Sequence, residues 1–173
     1  MKLLFQFLSK WGNLLLLFCL FLLFNILLSS FLPKEYVLDL MFAYSSEEAY
    51  AALGHLNPSQ IHRYKIGIWI LDMPYLGIYC LLFSGLMIQI WKNHTTAWLP
   101  VAVAAMDLFE NLSVLRILGL YPRQNEIWTA IASFFSTSKW VLVGVLIFAL
   151  VFGLIFSVFS KRNFFEKSTE ARI

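Results

Sequence analysis

Long apolar runs separated by short polar clusters set the pattern of this chain. A helix needs about 20 mostly apolar residues to cross a bilayer, and that length is met at about 13–32, 66–90, 98–120 and 140–159. Lys2 and Lys10 precede the first run, as in a signal peptide. The run is longer than the usual h-region and no A-x-A-like site follows, so it reads as a retained anchor. Pro33 ends it. Residues 33–64 form the one sizeable loop, and the short connector Trp91–Ala97 makes the second and third runs antiparallel neighbours.

Start and stop signals give the loop its own structure. Ser45 with Glu48 three residues later has the spacing of a capping box, for a helix over Glu47–Leu53 that stops at Gly54. Asn57-Pro58 supplies a second cap and first helical position, leading into the second span. The loop therefore reads as a helical hairpin on the membrane surface, with Tyr36, Phe42, Tyr44 and Tyr50 at headgroup level. Residues 127–138 either extend the last helix beyond the membrane or dip in as a re-entrant segment.

Lysine and arginine placement sets orientation. Lys2, Lys10, Lys92, Lys161, Arg162, Lys167 and Arg172 fall on one side, against Lys34, Arg63, Lys65 and Arg123 on the other. Both termini are thus expected in the cytoplasm, with 33–64 outside. The expected fold is an all-α integral membrane protein. It is a single domain over 1–173, a four-helix transmembrane bundle with a helical extracytoplasmic loop between spans 1 and 2, placed in a bacterial inner membrane.

Composition agrees with this pattern. The 173 residues are 60% hydrophobic and 13% charged, against roughly 25% charged in soluble domains. The net charge of +3 comes from basic residues at span ends and in the tail, which excludes a nucleic-acid surface. Cys19 and Cys80 lie in apolar runs and read as small buried hydrophobes. His55, His62 and His94 lie in loops or at interfaces, so no zinc site is expected. G-x-S-x-G, H-E-x-x-H, P-loop and G-x-G-x-x-G motifs are absent. The sequence predicts neither a metal nor a cofactor.

The candidate chemistry lies inside the apolar runs. Asp107, Glu110 and Asn111 share one helical face of the third span. A charge at bilayer depth costs on the order of 2.5–3.5 kcal/mol on the mildest scale, which makes such residues functional candidates. In the second span Asp72 precedes Tyr75 and Tyr79 on one face, and Pro74 removes a helical hydrogen bond near Ile70. Lys139 heads the last span, and Asn25 with Ser29 suggests a polar pair between helices. Three carboxylates with one cation cannot all stay ionised in a low-dielectric pocket, so at least one is expected to hold a proton. Asp107, Glu110 and Asp72 are the candidate acids and bases. Asn111, Lys139, Tyr75 and Tyr79 are candidate ligand-binding residues. The competing reading is an interhelical network that only fixes packing.

The elements Tyr44-Ser45-x-Glu47-Glu48-Ala49-Tyr50, Ile70-Leu71-Asp72-x-Pro74-Tyr75 and Asp107-x-x-Glu110-Asn111 resemble a type of small four-span bacterial membrane protein without an assigned function. In layout alone the chain is similar to the EXPERA superfamily of sterol isomerases and the sigma-2 receptor. Those are small helical membrane proteins with intramembrane acids and a Pro-aromatic element in the second span. Their signature histidine has no counterpart here, and no residue roles carry over. The expected function is binding of a lipid-like or amphipathic small molecule in an outward-facing acidic site, with isomerase-type acid–base chemistry as its catalytic extension. Membrane lipids, and a second copy or a membrane partner protein, are the expected partners. The alternatives are a small proton-coupled transporter, or a scaffold docking through the Tyr44–Tyr50 segment.

Overall fold

A computed structural model describes residues 7–8, 10–33 and 35–170, without the side chains of 158 and 160–170. Every regular element among these residues is helical. Helix α1 is Trp11–Phe31 and stops just before Pro33. Helix α2, Ser46–Gly54, begins with the full capping box. Ser45 Oγ accepts from the Glu48 amide, and Glu48 returns its carboxylate to the Ser45 amide. Helix α3, Pro58–Gly67, starts with the equivalent box from Asn57 and Gln60. It continues through a π-helical turn, Ile68–Asp72, into α4, Met73–Trp91. Helix α5 is Trp98–Leu120 and α6 is Glu126–Glu170.

Trp11–Phe31, Pro58–Trp91 and Glu126–Ser157 are long and apolar enough to cross a membrane. Helix α5 has 23 residues, roughly 34 Å at the helical rise, but carries Asp107, Glu110 and Arg116. It is the central element, packed along α6 on one side and α4 on the other, while α1 lies against α4. Gly85 makes that last contact possible, since a Cβ there would run into the Leu14 side chain.

The loop differs from the surface hairpin expected from sequence. Tyr44 and Tyr50 are each only 6% exposed, inside a core that includes Leu38, Leu53, Tyr64, Val114 and Ile117. Tyr36 and Phe42 do stay exposed. The reason lies on α6, whose first turns supply hydroxyls to the loop backbone. Ser133 Oγ accepts from the Tyr44 amide at 3.0 Å, Ser136 Oγ donates to the Met41 carbonyl at 2.6 Å, and Thr137 Oγ1 donates to the Phe42 carbonyl at 2.9 Å. The Tyr50 hydroxyl accepts the Asn125 amide at 2.7 Å. Segment 127–138 is continuous helix with the rest of α6. Of the basic residues used for orientation, Lys2, Lys34 and Arg172 lie outside the described residues, as do the side chains of Lys161, Arg162 and Lys167.

Candidate functional site

The five polar residues singled out from the spans converge. The inward face of α5 carries Asp107, Glu110 and Asn111. All three are buried, the last two completely. Thirty-two residues beyond Asp107, α6 brings Lys139 against them. Its Nζ lies 3.2 Å from Asp107 Oδ1 and 2.5 Å from Glu110 Oε2, and it donates to the Asp39 carbonyl at 3.2 Å. An ammonium has three N–H donors, and three acceptors surround this one.

On α4, Asp72 Oδ2 accepts from Asn111 Nδ2 at 2.7 Å, and the Tyr79 hydroxyl donates to Asp107 Oδ2 at 2.8 Å. Tyr75 accepts from Asn25 Nδ2 at 2.9 Å and stacks on Phe21, 5.5 Å between ring centres. Ser29 bonds within its own helix, to the Ile26 carbonyl. Asn25 therefore pairs across helices with Tyr75. The π turn just before Pro74 absorbs the lost hydrogen bond as a widened turn, with the Met73 amide reaching back to the Ile68 carbonyl. Asp72, Tyr75 and Tyr79 beyond it face the interior together.

These helices line a half-open cavity of about 1040 Å³, at the upper end of ordinary ligand pockets. Asp39, Asp72, Asp107, Tyr75, Tyr79 and Lys139 are among its polar lining, with Asn25 and Ser29 of α1. Phe21 and Leu28 of α1, Phe83 of α4 and Leu146, Ile147 and Leu150 of α6 are among its apolar lining. Glu110 and Asn111 are not on the cavity wall. They hold Lys139 and Asp72 from behind.

Asp39 is the site residue the sequence reading missed. Its signal is a lone acid in the apolar run Val37–Leu40. Tyr64 pins this segment, accepting the Leu38 amide at 2.9 Å and donating to the Asp39 carboxylate. Both Glu110 carboxylate oxygens, Asn111 Oδ1 and the Tyr44 hydroxyl are buried without a hydrogen-bond partner among the described residues, and Oε2 is held by the ion contact with Lys139. Burial, and then the Glu110 carboxylate, push the Tyr44 phenol well above the ordinary tyrosine range, so its hydroxyl stays neutral. Among the described residues, no group of three or more His, Cys, Asp and Glu side chains could hold a metal ion.

The arrangement combines acids, one ion-paired lysine, two tyrosines and apolar side chains around one cavity. No family model, curated protein or solved structure matches this chain. Its functional reading rests on the site itself.

Proposed function

We propose that this chain is a four-span protein of a bacterial inner membrane, with both termini cytoplasmic, whose acidic cavity binds a lipid-like amphipathic small molecule. The observation that carries the reading is the mixed lining of the cavity. Acids and tyrosines line it together with aliphatic and phenyl side chains, which matches a molecule with a polar head and an apolar body. Hydrogen bonds between membrane helices average about 0.6 kcal/mol, too little to account for four buried ionisable side chains by packing alone.

The cavity geometry distributes the roles. Asp72 and Asp107 face the bound molecule and are the acid–base pair of any isomerase-type step. Glu110, shut off from the cavity, acts through Lys139 as a positioning residue. Asn111 orients Asp72, and Tyr79 orients Asp107. Tyr44 and Tyr50 are buried, which leaves Ser45, Glu47 and Glu48 as the exposed part of the segment the scaffold alternative uses.

Native mass spectrometry of the purified protein tests the reading. A co-isolated amphiphile is expected on the natural chain and not on Ile147→Trp, which puts bulk at the cavity wall from a half-exposed position. Equal retention by both proteins would place the amphiphile elsewhere on the surface and sink the proposal.

A further inference from the structure

A second hollow lies between α1 and the π turn. Leu27, Ser30 and Phe31 of α1, with Ile66, Ile70 and Leu71 of the α3–π segment, line a groove of about 370 Å³. Apart from Ser30 its lining is hydrocarbon, and Phe31 and Ile70 are exposed. Gly67 lets the two segments meet beside it, since a Cβ there would run into the Leu32 side chain.

The charge around this groove has one sign. Arg63 stands one helical turn before Ile66 and shares its face. Its guanidinium lies over the Phe31 ring, 5.8 Å from the centroid, and so stands at the rim of the groove. A ring contact uses none of its hydrogen-bond donors. Among the described residues no carboxylate or other acceptor engages this side chain. His62 and Lys65 lie on the same helix, and Pro58–Gly67 contains no acid. Any lipid tail can cover an apolar groove in a bilayer, so the cation at the rim supplies the selection. A planar guanidinium takes a phosphate through two parallel hydrogen bonds, and basic residues at a membrane surface favour anionic lipid.

We propose that this groove is a binding site for an anionic phospholipid. The phosphate takes Arg63, and one acyl chain lies along Leu27, Phe31, Ile66 and Ile70. The site rests on Trp11–Phe31 and Pro58–Trp91 lying in a bilayer, and it is independent of the cavity and its amphiphile.

Native mass spectrometry of the protein in detergent with equal amounts of dioleoylphosphatidylglycerol and dioleoylphosphatidylcholine tests the proposal. The natural chain should retain the anionic lipid over the zwitterionic one by about fivefold. Arg63→Gln should bring that ratio towards one, and Ile66→Trp, which fills the groove, should lower retention of both lipids. Arg123→Gln, at an exposed arginine outside the groove, and Ile147→Trp at the cavity wall should leave the ratio unchanged. Equal retention of the two lipids by the natural chain, or an unchanged ratio in Arg63→Gln, would overturn the proposal. Undiminished retention in Ile66→Trp would remove the groove from it. An equal fall in Arg123→Gln would replace the site by diffuse surface charge, and loss of the preference in Ile147→Trp would move the lipid into the cavity.

Discussion

Lys139 holds the polar cluster together, and its removal separates packing from binding. Without it, Asp107 and Glu110 are left as buried carboxylates with no cation. Breaking a buried ion pair from one side costs about 3–5 kcal/mol, so Lys139→Met should lower the thermal midpoint sharply. Adding Asp107→Asn and Glu110→Gln in the same chain should restore part of the loss, since neutral amides tolerate the site without a counter-charge. A single variant as stable as the natural protein would contradict the ion-pair geometry. The grouping of Asp107, Glu110 and Asn111 was readable from helical periodicity, and Lys139 from being a cation at the head of an apolar run. That Lys139 also donates to the Asp39 carbonyl was not readable. That acceptor is a backbone atom brought in by a loop a hundred residues away. Nor could spacing show that Glu110 stands behind Lys139 while Asp107 faces the cavity.

At the level of elements, local signals proved reliable and tertiary seating did not. The Ser45/Glu48 box and the Asn57 cap stand where the sequence put them, because a cap depends on near neighbours, and Gln60 completes the second box. The Ser45 backbone amide, then the Ser45 hydroxyl network, hold Glu48 below the ordinary glutamate range. A depressed folded-state value stabilises the box above the unfolded glutamate's own range, and that contribution is lost as pH falls through the lowered value. The protection factor of the Ser45 amide, corrected for intrinsic exchange, should therefore fall on acidification, and in Glu48→Gln it should lose that pH response. A pH-independent protection of Ser45 in the natural chain would speak against the carboxylate cap.

The loop was misplaced on the surface because its tyrosines looked like headgroup anchors, while the serines and threonine that seat it lie on α6. Segment 127–138 was ambiguous for the same reason. Ser133, Ser136 and Thr137 interrupt the apolar run, and their purpose appears only once the carbonyls of Met41 and Phe42 are above them. Ser136→Ala leaves the buried Met41 carbonyl without that donor and should cost about 1–3 kcal/mol. Faster proteolysis between 33 and 45 is the expected readout, and an unchanged cleavage rate would mean the seat is held elsewhere.

For the molecule as a whole, the proposed topology puts the loop before α3 outside and has α5 span with the other three helices; Pro33, Val37, Asp39 and Leu40 of that loop line the cavity. Glu47 is exposed and takes no part in the cap. In a background lacking Cys19 and Cys80, Glu47→Cys should react with a membrane-impermeant maleimide on intact cells. Reaction only after lysis would reverse the topology. The central claim is that an amphiphile lies within the cavity, between α1 and α6, and not on the lipid-facing surface. Photocrosslinking with a dodecyl maltoside analogue carrying a diazirine in mid-chain, followed by peptide mapping, tests it most directly. Adducts should concentrate on Phe21, Leu28, Phe83 and Leu146, and the unlabelled amphiphile should compete them away. Adducts confined to outward residues such as Leu15, Leu22, Phe148 and Phe156, insensitive to competitor, would contradict the site.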